Sequence, residues 1–129
     1  MPEYLLGFDQ GSSSSKAVLV EPNGKIACMA FVPIKTRRPA PGIAEHDPLS
    51  LLDSQLAAAR KVLQSVKKDK TKIAGLGIAN QRSTFIFWDK NSGRPLTPAI
   101  SWQDARADVL IRQWDDCRET IRIKTGLML

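Results

Sequence analysis

An α/β fold, a mixed sheet with flanking helices, is predicted by three features of the 129-residue chain. Three short apolar runs separated by turn residues open it, an amphipathic helical stretch follows, and a compact apolar run comes after that helix. Tight turns join antiparallel strands, whereas a strand reached from a helix is the setting of a parallel crossover, so one sheet holds both pairings. The length suits one domain or part of one. With 43% hydrophobic and 25% charged residues the chain has the balance of a globular protein able to bury a core, which excludes a disordered one.

The first strand is Tyr4 to Phe8, ending at Asp9, and the polar run Gln10-Gly11-Ser12-Ser13-Ser14-Ser15 reads as a turn. Ala17 to Val20 is a second strand, and Pro22-Asn23-Gly24 turns the chain into a third, Ile26 to Val32, completing a β-meander. Lys35 to Gly42 contains Pro39 and Pro41 and is expected as a surface loop. Asp47 before Pro48 marks a helix start: the carboxylate accepts from free amides, and proline takes the first helical position, where its missing N–H costs nothing. Leu49, Leu52, Leu56, Ala59, Leu63 and Val66 alternate three and four apart, the spacing of one helical face, and predict a helix to about Lys68 with that face inward. Ile73 to Ala79, apolar with Gly75 and Gly77, is expected as a buried strand. Phe85 to Trp88, Asn91-Ser92-Gly93 and Ala99 to Trp102 read as a hairpin. Asp104 to Arg118 reads as a second helix with Ala107, Leu110, Ile111 and Trp114 on one face. The apolar finish Thr125 to Leu129 is expected of a chain that stops inside its fold.

The longest uninterrupted apolar run, Ile26 to Val32, is seven residues, far below the roughly 18 a membrane span needs. No Lys or Arg precedes Lys16 and Asp9 breaks the only early apolar stretch, so no secretory leader is expected. Cys28 and Cys117 make no disulfide framework and are expected as reduced core fillers in a cytoplasmic protein. The net charge is +6, of which Arg60 to Lys72 carries +5, Lys35, Arg37 and Arg38 carry +3, and the remainder −2. The larger cluster lies at the end of the first predicted helix, where cations complement the macrodipole, and holds no aromatic residue on which a base would stack. A solvated helix end is therefore preferred over nucleic-acid binding, which is kept as an alternative.

Two places carry chemistry. In Asp9-Gln10-Gly11-Ser12-Ser13-Ser14-Ser15-Lys16, Gly11 allows a tight turn with exposed amides, Ser12, Ser13 and Ser14 add hydroxyls, and Lys16 adds a cation. Asp9, at a strand end, suits Mg²⁺, which prefers carboxylate oxygens and keeps much of its water. No Gly-Lys-Ser/Thr follows at Walker spacing, so the loop is not a Walker A. On the residues alone, a phosphate cradle and a solvated serine-rich turn both remain open. Arg82 follows the strand Ile73 to Ala79, at the end where open α/β sheets place ligands, and its guanidinium can donate two parallel hydrogen bonds to vicinal hydroxyls. Trp102 offers a flat wall for the carbon face of a polyol. An exposed, ion-paired arginine and a core tryptophan are the plainer readings. Asp104 and Arg106 either brace the site as an ion pair or, the plainer role for Asp104, cap the second helix. His46, the only histidine, excludes a histidine-based metal cluster and is expected to pack its loop.

The stretch Tyr4 to Lys16 resembles the first phosphate motif of the actin-like ATPase superfamily and, more narrowly, of the FGGY carbohydrate kinases. Pro41-Gly42-Ile43-Ala44-Glu45-His46-Asp47-Pro48, Gly75-Leu76-Gly77-Ile78-Ala79-Asn80-Gln81-Arg82 and Ile100-Ser101-Trp102-Gln103-Asp104-Ala105-Arg106 are similar to that family in the same order. Around Asn80-Gln81-Arg82 and Ser101-Trp102-Gln103 the glycerol kinase group is the nearest in pattern. The resemblance implies a ribonuclease H-like, actin-like ATPase lobe, of which residues 1–129 form an incomplete N-terminal part without the second, nucleotide-binding lobe. It implies ATP and Mg²⁺ as cofactors, phosphate binding by Asp9, Gly11, Ser12, Ser13, Ser14 and Lys16, metal binding by Asp9, and acceptor binding by Gln81, Arg82, Ser83 and Trp102. The activity implied is transfer of a phosphoryl group from ATP to a polyol or sugar hydroxyl, with the base, an aspartate, expected downstream and a homo-oligomer for the complete protein. Ser83 departs from the glutamate of glycerol kinases, which leaves room for an acceptor other than glycerol. A non-catalytic phosphate- or sugar-binding relic is the other reading.

Overall fold

The computed structural model describes residues 3–66 and 72–128. Its main sheet has four strands in the order β3-β2-β1-β5, where β1 is Glu3–Gln10, β2 Ser14–Val20, β3 Ile26–Pro33 and β5 Lys72–Asn80. β1, β2 and β3 are the predicted antiparallel meander, and β5 runs parallel to β1 after the helical crossover. A second, two-stranded sheet pairs β4 (Glu45–His46) with β6 (Ala99–Ile100). The segment from Lys35 is a loop as expected, tied down by an Arg37–Glu45 bridge.

Helix α1 (Pro48–Ser65) begins as predicted, with Asp47 accepting from the Leu49 amide and Pro48 at the first position. It ends at Ser65; the predicted continuation to Lys68, and Lys67, Lys68 and Lys70 of the basic stretch, lie outside the described residues.

The face that α1 buries overlaps the expected one only at Ala59 and at Val66, which packs against the core. Ser54, Ala58, Ala59 and Val62 are buried, while Leu49, Leu52, Leu56 and Leu63 remain exposed. The helix is apolar around more than half its circumference, so a spacing of three and four can be traced along two neighbouring stripes. Small side chains let α1 come close to β2 and β3, and the buried Ser15 and Ser54 hydroxyls lie 2.6 Å apart across that contact. The core beneath is Leu6, Ala17 and Leu19 from the sheet against Ala58 and Val62, with Tyr4, Phe8, Cys28 and Val66 at its margin.

Because α1 covers β2 and β3, the edge strand β5 is exposed on both faces apart from half-buried Gly75, contrary to the buried strand expected. The parallel crossover is as expected. The hairpin from Phe85 is reduced to isolated bridges, Phe85 with Ile100 and Trp88 with Pro95, because Ala99–Ile100 pairs as β6 with β4; the Phe85 and Ile100 amides donate to each other's carbonyls, and Leu96 donates to Phe87. Its tip is held by Asp89, whose carboxylate accepts from the Ser92 amide and hydroxyl and is held below the usual carboxylate range by those bonds.

The single helix expected over Asp104 to Arg118 is not formed. Asp104 is held in a turn, α2 spans only Asp108–Ile111, a 3₁₀ segment covers Arg112–Cys117 with Trp114 off helical geometry, and α3 is Arg118–Thr125. Ala107 caps α2 with no side-chain bond, and Ala107, Leu110 and Trp114 are exposed. Gly126, at φ 72, ends α3 in the left-handed conformation that costs glycine little, and Leu127 and Met128 beyond it are exposed; Leu129 lies outside the described residues. Cys28 is half-buried and free, while Cys117 is free and exposed, so only Cys28 fills core space as expected.

The sheet core beneath α1 and the leucine stripe on that helix separate in a stability measurement. Leu19→Ala, at a fully buried position, is expected to cost about 2–5 kcal/mol in urea unfolding. Leu52→Ala, on the exposed stripe, is expected to stay within about 0.5 kcal/mol. A larger loss at Leu52 would return the helix to the orientation its leucine spacing implies.

Candidate functional site

The site lies where β1 and β5 end. Parallel strands carry their carboxyl ends to the same sheet edge, so the loop after Gln10 and the segment after Asn80 emerge side by side, and the Gln81 amide donates to the Gln10 carbonyl at 2.8 Å. A cleft of about 680 Å³ opens there, lined by Ser12, Asn80, Gln81, Arg82, Ser83, Trp102 and Leu127.

On the β1 side the loop is three residues, Gly11 to Ser13, between β1 and β2. A Cβ on Gly11 would sit 3.1 Å from the Ser14 carbonyl oxygen, which is the close approach that favours glycine. The Gly11 amide donates to that same carbonyl, so it is not free for a ligand. Among the described residues nothing occupies the Ser12 and Ser13 amides. The Ser13 carbonyl accepts from Ile34, which anchors the tip to the end of β3. Ser15, the fourth serine, turns inward to Gln10 and Ser54 and is part of the core. Asp9 and Lys16 are cross-strand partners and form an ion pair at 3.0 Å with both side chains about half exposed. Alternation along the strands puts this pair on the sheet face opposite α1, one residue pair below the loop, in a groove with Gly7, Val18 and Met29.

On the β5 side Arg82 is exposed and has no hydrogen-bond or ion-pair partner among the described residues, which removes the ion-paired reading. Ser83 adopts φ 62, a left-handed conformation uncommon outside glycine and found where surroundings over-determine the backbone. Trp102 is 55% exposed and is not a core tryptophan. Its indole nitrogen donates to the Ser12 hydroxyl at 2.8 Å. Gln81 contributes less directly than expected. Its side-chain nitrogen donates to the Gly11 carbonyl at 3.4 Å, and its oxygen accepts from the Thr84 hydroxyl at 3.0 Å.

Trp102 is held by the segments on either side of β4 and β6. The Ser101 amide donates to the Ala44 carbonyl, and the Asp104 carboxylate accepts from the Ala44 amide at 2.7 Å, so both polar groups of one buried alanine clasp the turn. Arg106 closes the clasp with bonds to Asp104 and to Glu45, each at 2.7 Å. The ion pair is thus the role Asp104 plays, and helix capping is not. The Arg106 bonds hold the Asp104 carboxyl far below the usual carboxylate range against the opposing effect of burial, with the Ala44 amide adding to the depression; Asp104 and Glu45 raise Arg106. His46, buried beside this clasp, has Nδ1 3.2 Å from the Lys35 carbonyl and packs its loop as expected. Ala44 and Thr84 were not marked by the sequence reading: an alanine carries no polar side chain, and Thr84 lies two residues beyond the arginine that drew attention.

The sequence pattern of the FGGY family of carbohydrate kinases, N-terminal domain, matches residues 4–129. The chain belongs to that family. Glycerol kinase from Methylibium petroleiphilum is 40% identical over 128 residues, 98% of this chain and 26% of the relative. Glycerol kinase from Thermus brockianus is likewise 40% identical, over 129 residues, at the same coverage. Among solved structures, Plasmodium falciparum glycerol kinase with ADP superposes with a TM-score of 0.92 at 27% identity, covering 98% of this chain and 26% of that one. Gluconate kinase from Lactobacillus acidophilus gives 0.88 at 26% identity, covering 98% and 25%. The expected actin-like ATPase lobe is therefore the fold of this FGGY chain, which spans about a quarter of the length of the relatives it matches.

The Asp104 clasp has a pH consequence. A folded-state carboxyl held below its ordinary value near about 3.9 stabilises the fold fully above that value and loses the contribution as pH falls through the folded-state pKa. Asp104→Asn is expected to flatten the acid limb of a urea-midpoint series below about pH 4. Asp104→Ala leaves the buried Ala44 amide without a partner, at about 1–3 kcal/mol.

Proposed function

We propose that the chain supplies the acceptor cleft and phosphate loop of an ATP-dependent kinase acting on a polyol or sugar hydroxyl. The observation that carries this reading is an Arg82 without a partner among the described residues, beside Trp102 and facing a loop whose Ser12 and Ser13 amides no described residue occupies. Arg82 donates two parallel hydrogen bonds to adjacent hydroxyls, and Trp102 covers the carbon face between them. The Ser12 and Ser13 amides, with the Ser12, Ser13 and Ser14 hydroxyls, receive phosphate oxygens, and Lys16 exchanges its Asp9 partner for phosphate. Ser83, small and uncharged, admits an acceptor bulkier than glycerol.

Mg²⁺ fits the donor set present. That ion is usually held by one or two carboxylates with substrate phosphates and water, and Asp9 is a half-exposed carboxylate below the loop, paired with the exchangeable Lys16 ammonium. Bound there it would neutralise charge on the phosphates. Among the described residues no group of three His, Cys, Asp or Glu stands ready as an all-protein metal site. The cytoplasm is the proposed compartment, supported by two free cysteines of which one is exposed; among the described residues no helix is long and apolar enough to cross a membrane.

No carboxylate among the described residues lines the cleft to take the acceptor's proton. The 129-residue chain is therefore expected to bind without turnover. Titrated with Mg·ATP and with a panel of polyols and sugars, it should show two separable sets of NMR shifts and no acceptor-dependent ADP release. Arg82→Ala should weaken acceptor binding by roughly ten- to a hundredfold and leave nucleotide shifts in place, while Lys16→Ala should do the reverse. Absence of both sets around the cleft, or ATP turnover by the chain alone, would refute the reading.

A further inference from the structure

Four hydrogen bonds among five residues, closed by the Gly11–Ser12 peptide link, form a circuit between the two halves of the cleft. The Trp102 indole donates to the Ser12 hydroxyl, the Trp102 amide donates to the Thr84 hydroxyl at 3.1 Å, Thr84 donates to Gln81, and Gln81 returns to the Gly11 carbonyl of the loop. Gln81 is also fixed to β1 through its amide on the Gln10 carbonyl. The wall of the acceptor cleft and the phosphate loop are thus one hydrogen-bonded unit.

The direction of each bond matters. An indole N–H is a donor only, whereas a hydroxyl has one hydrogen to give and two lone pairs to receive with. With Trp102 occupying a lone pair, the Ser12 hydrogen is left to donate, and among the described residues no acceptor takes it. Ser12 lines the cleft beside Arg82, so the hydroxyl is presented there as a donor next to the Ser12 and Ser13 amides, which no described residue occupies.

We propose that Trp102 is a positioning residue for the phosphate site: through its indole N–H it fixes the Ser12 hydroxyl as a donor to a phosphate oxygen, apart from any role of its ring face toward the acceptor. The proposal rests on the phosphate-loop reading above. It follows that an acceptor packed on the indole steadies Ser12 and favours phosphate binding, and that phosphate reciprocally favours the acceptor.

Inorganic pyrophosphate, titrated into the 129-residue chain by calorimetry, is the probe. Trp102→Phe keeps a smaller aromatic wall and deletes the N–H, so it is expected to weaken pyrophosphate binding by roughly three- to tenfold, as Ser12→Ala does. In the double variant the loss should not exceed that of Ser12→Ala alone, because both changes remove one unit. In NMR the Trp102 indole resonance should move on pyrophosphate addition in the wild type and stay still in Ser12→Ala, a readout that decides the matter even if Trp102→Phe fails to fold. Wild-type affinity in Trp102→Phe, with loss in Ser12→Ala, overturns the positioning role and leaves the loop standing. Absence of pyrophosphate binding by the wild type removes the loop reading and this inference together.

Discussion

Parallel pairing of β1 with β5 is the constraint on which the rest of this molecule depends. An antiparallel neighbour would have delivered Arg82 to the opposite end of the sheet from the serine loop, some eight residues of strand away. The α1 crossover makes the parallel direction possible, and the Gln81-to-Gln10 bond continues the ladder one step past the strands. The loop and the arginine then share an edge without any further device. What remains is to bring in Trp102 from residues far down the chain. That is the work of the small second sheet and of Ala44, whose amide and carbonyl both hold the turn carrying the indole.

Burial in this chain is one-sided. α1 rests on β2 and β3, so the core is a thin layer built from Leu6, Ala17, Leu19, Ala58 and Val62. Large apolar side chains on β5, on the leucine stripe of α1 and along α2 and α3 stay at the surface. A strand such as β5, apolar on both faces, has the composition of a parallel strand covered from both sides.

Charge follows the structure more than the composition. The net +6 suggests a polyanion-binding surface when counted along the chain. In space, Lys16, Lys72, Arg106, Arg118 and Arg122 each face a carboxylate, mostly at exposed positions where such pairs contribute little to stability. The Asp104–Arg106–Glu45 group differs, because the Asp104 side chain is 3% exposed and also receives a backbone amide. Arg82, with no partner among the described residues, lines the cleft instead.

Local chemistry was legible in the sequence: the meander turns, the Asp47–Pro48 helix start, the tight glycine-serine loop and the emergence of Arg82 at a strand end all follow from residues within a few positions of one another. Family membership was legible too, because four motifs stand in one order. Three matters were decided only by the tertiary structure. Which stripe of α1 faces inward depended on the close approach that Ser54 and Ala58 permit, and two apolar stripes of equal spacing carry no such information. The helix expected from Asp104 yielded to bonds with Ala44, sixty residues away in sequence, which outweigh a local capping preference. The meeting of Trp102 with Ser12 spans ninety residues. Periodicity reports what a segment buries, but only the packed chain determines which distant donor and acceptor face each other.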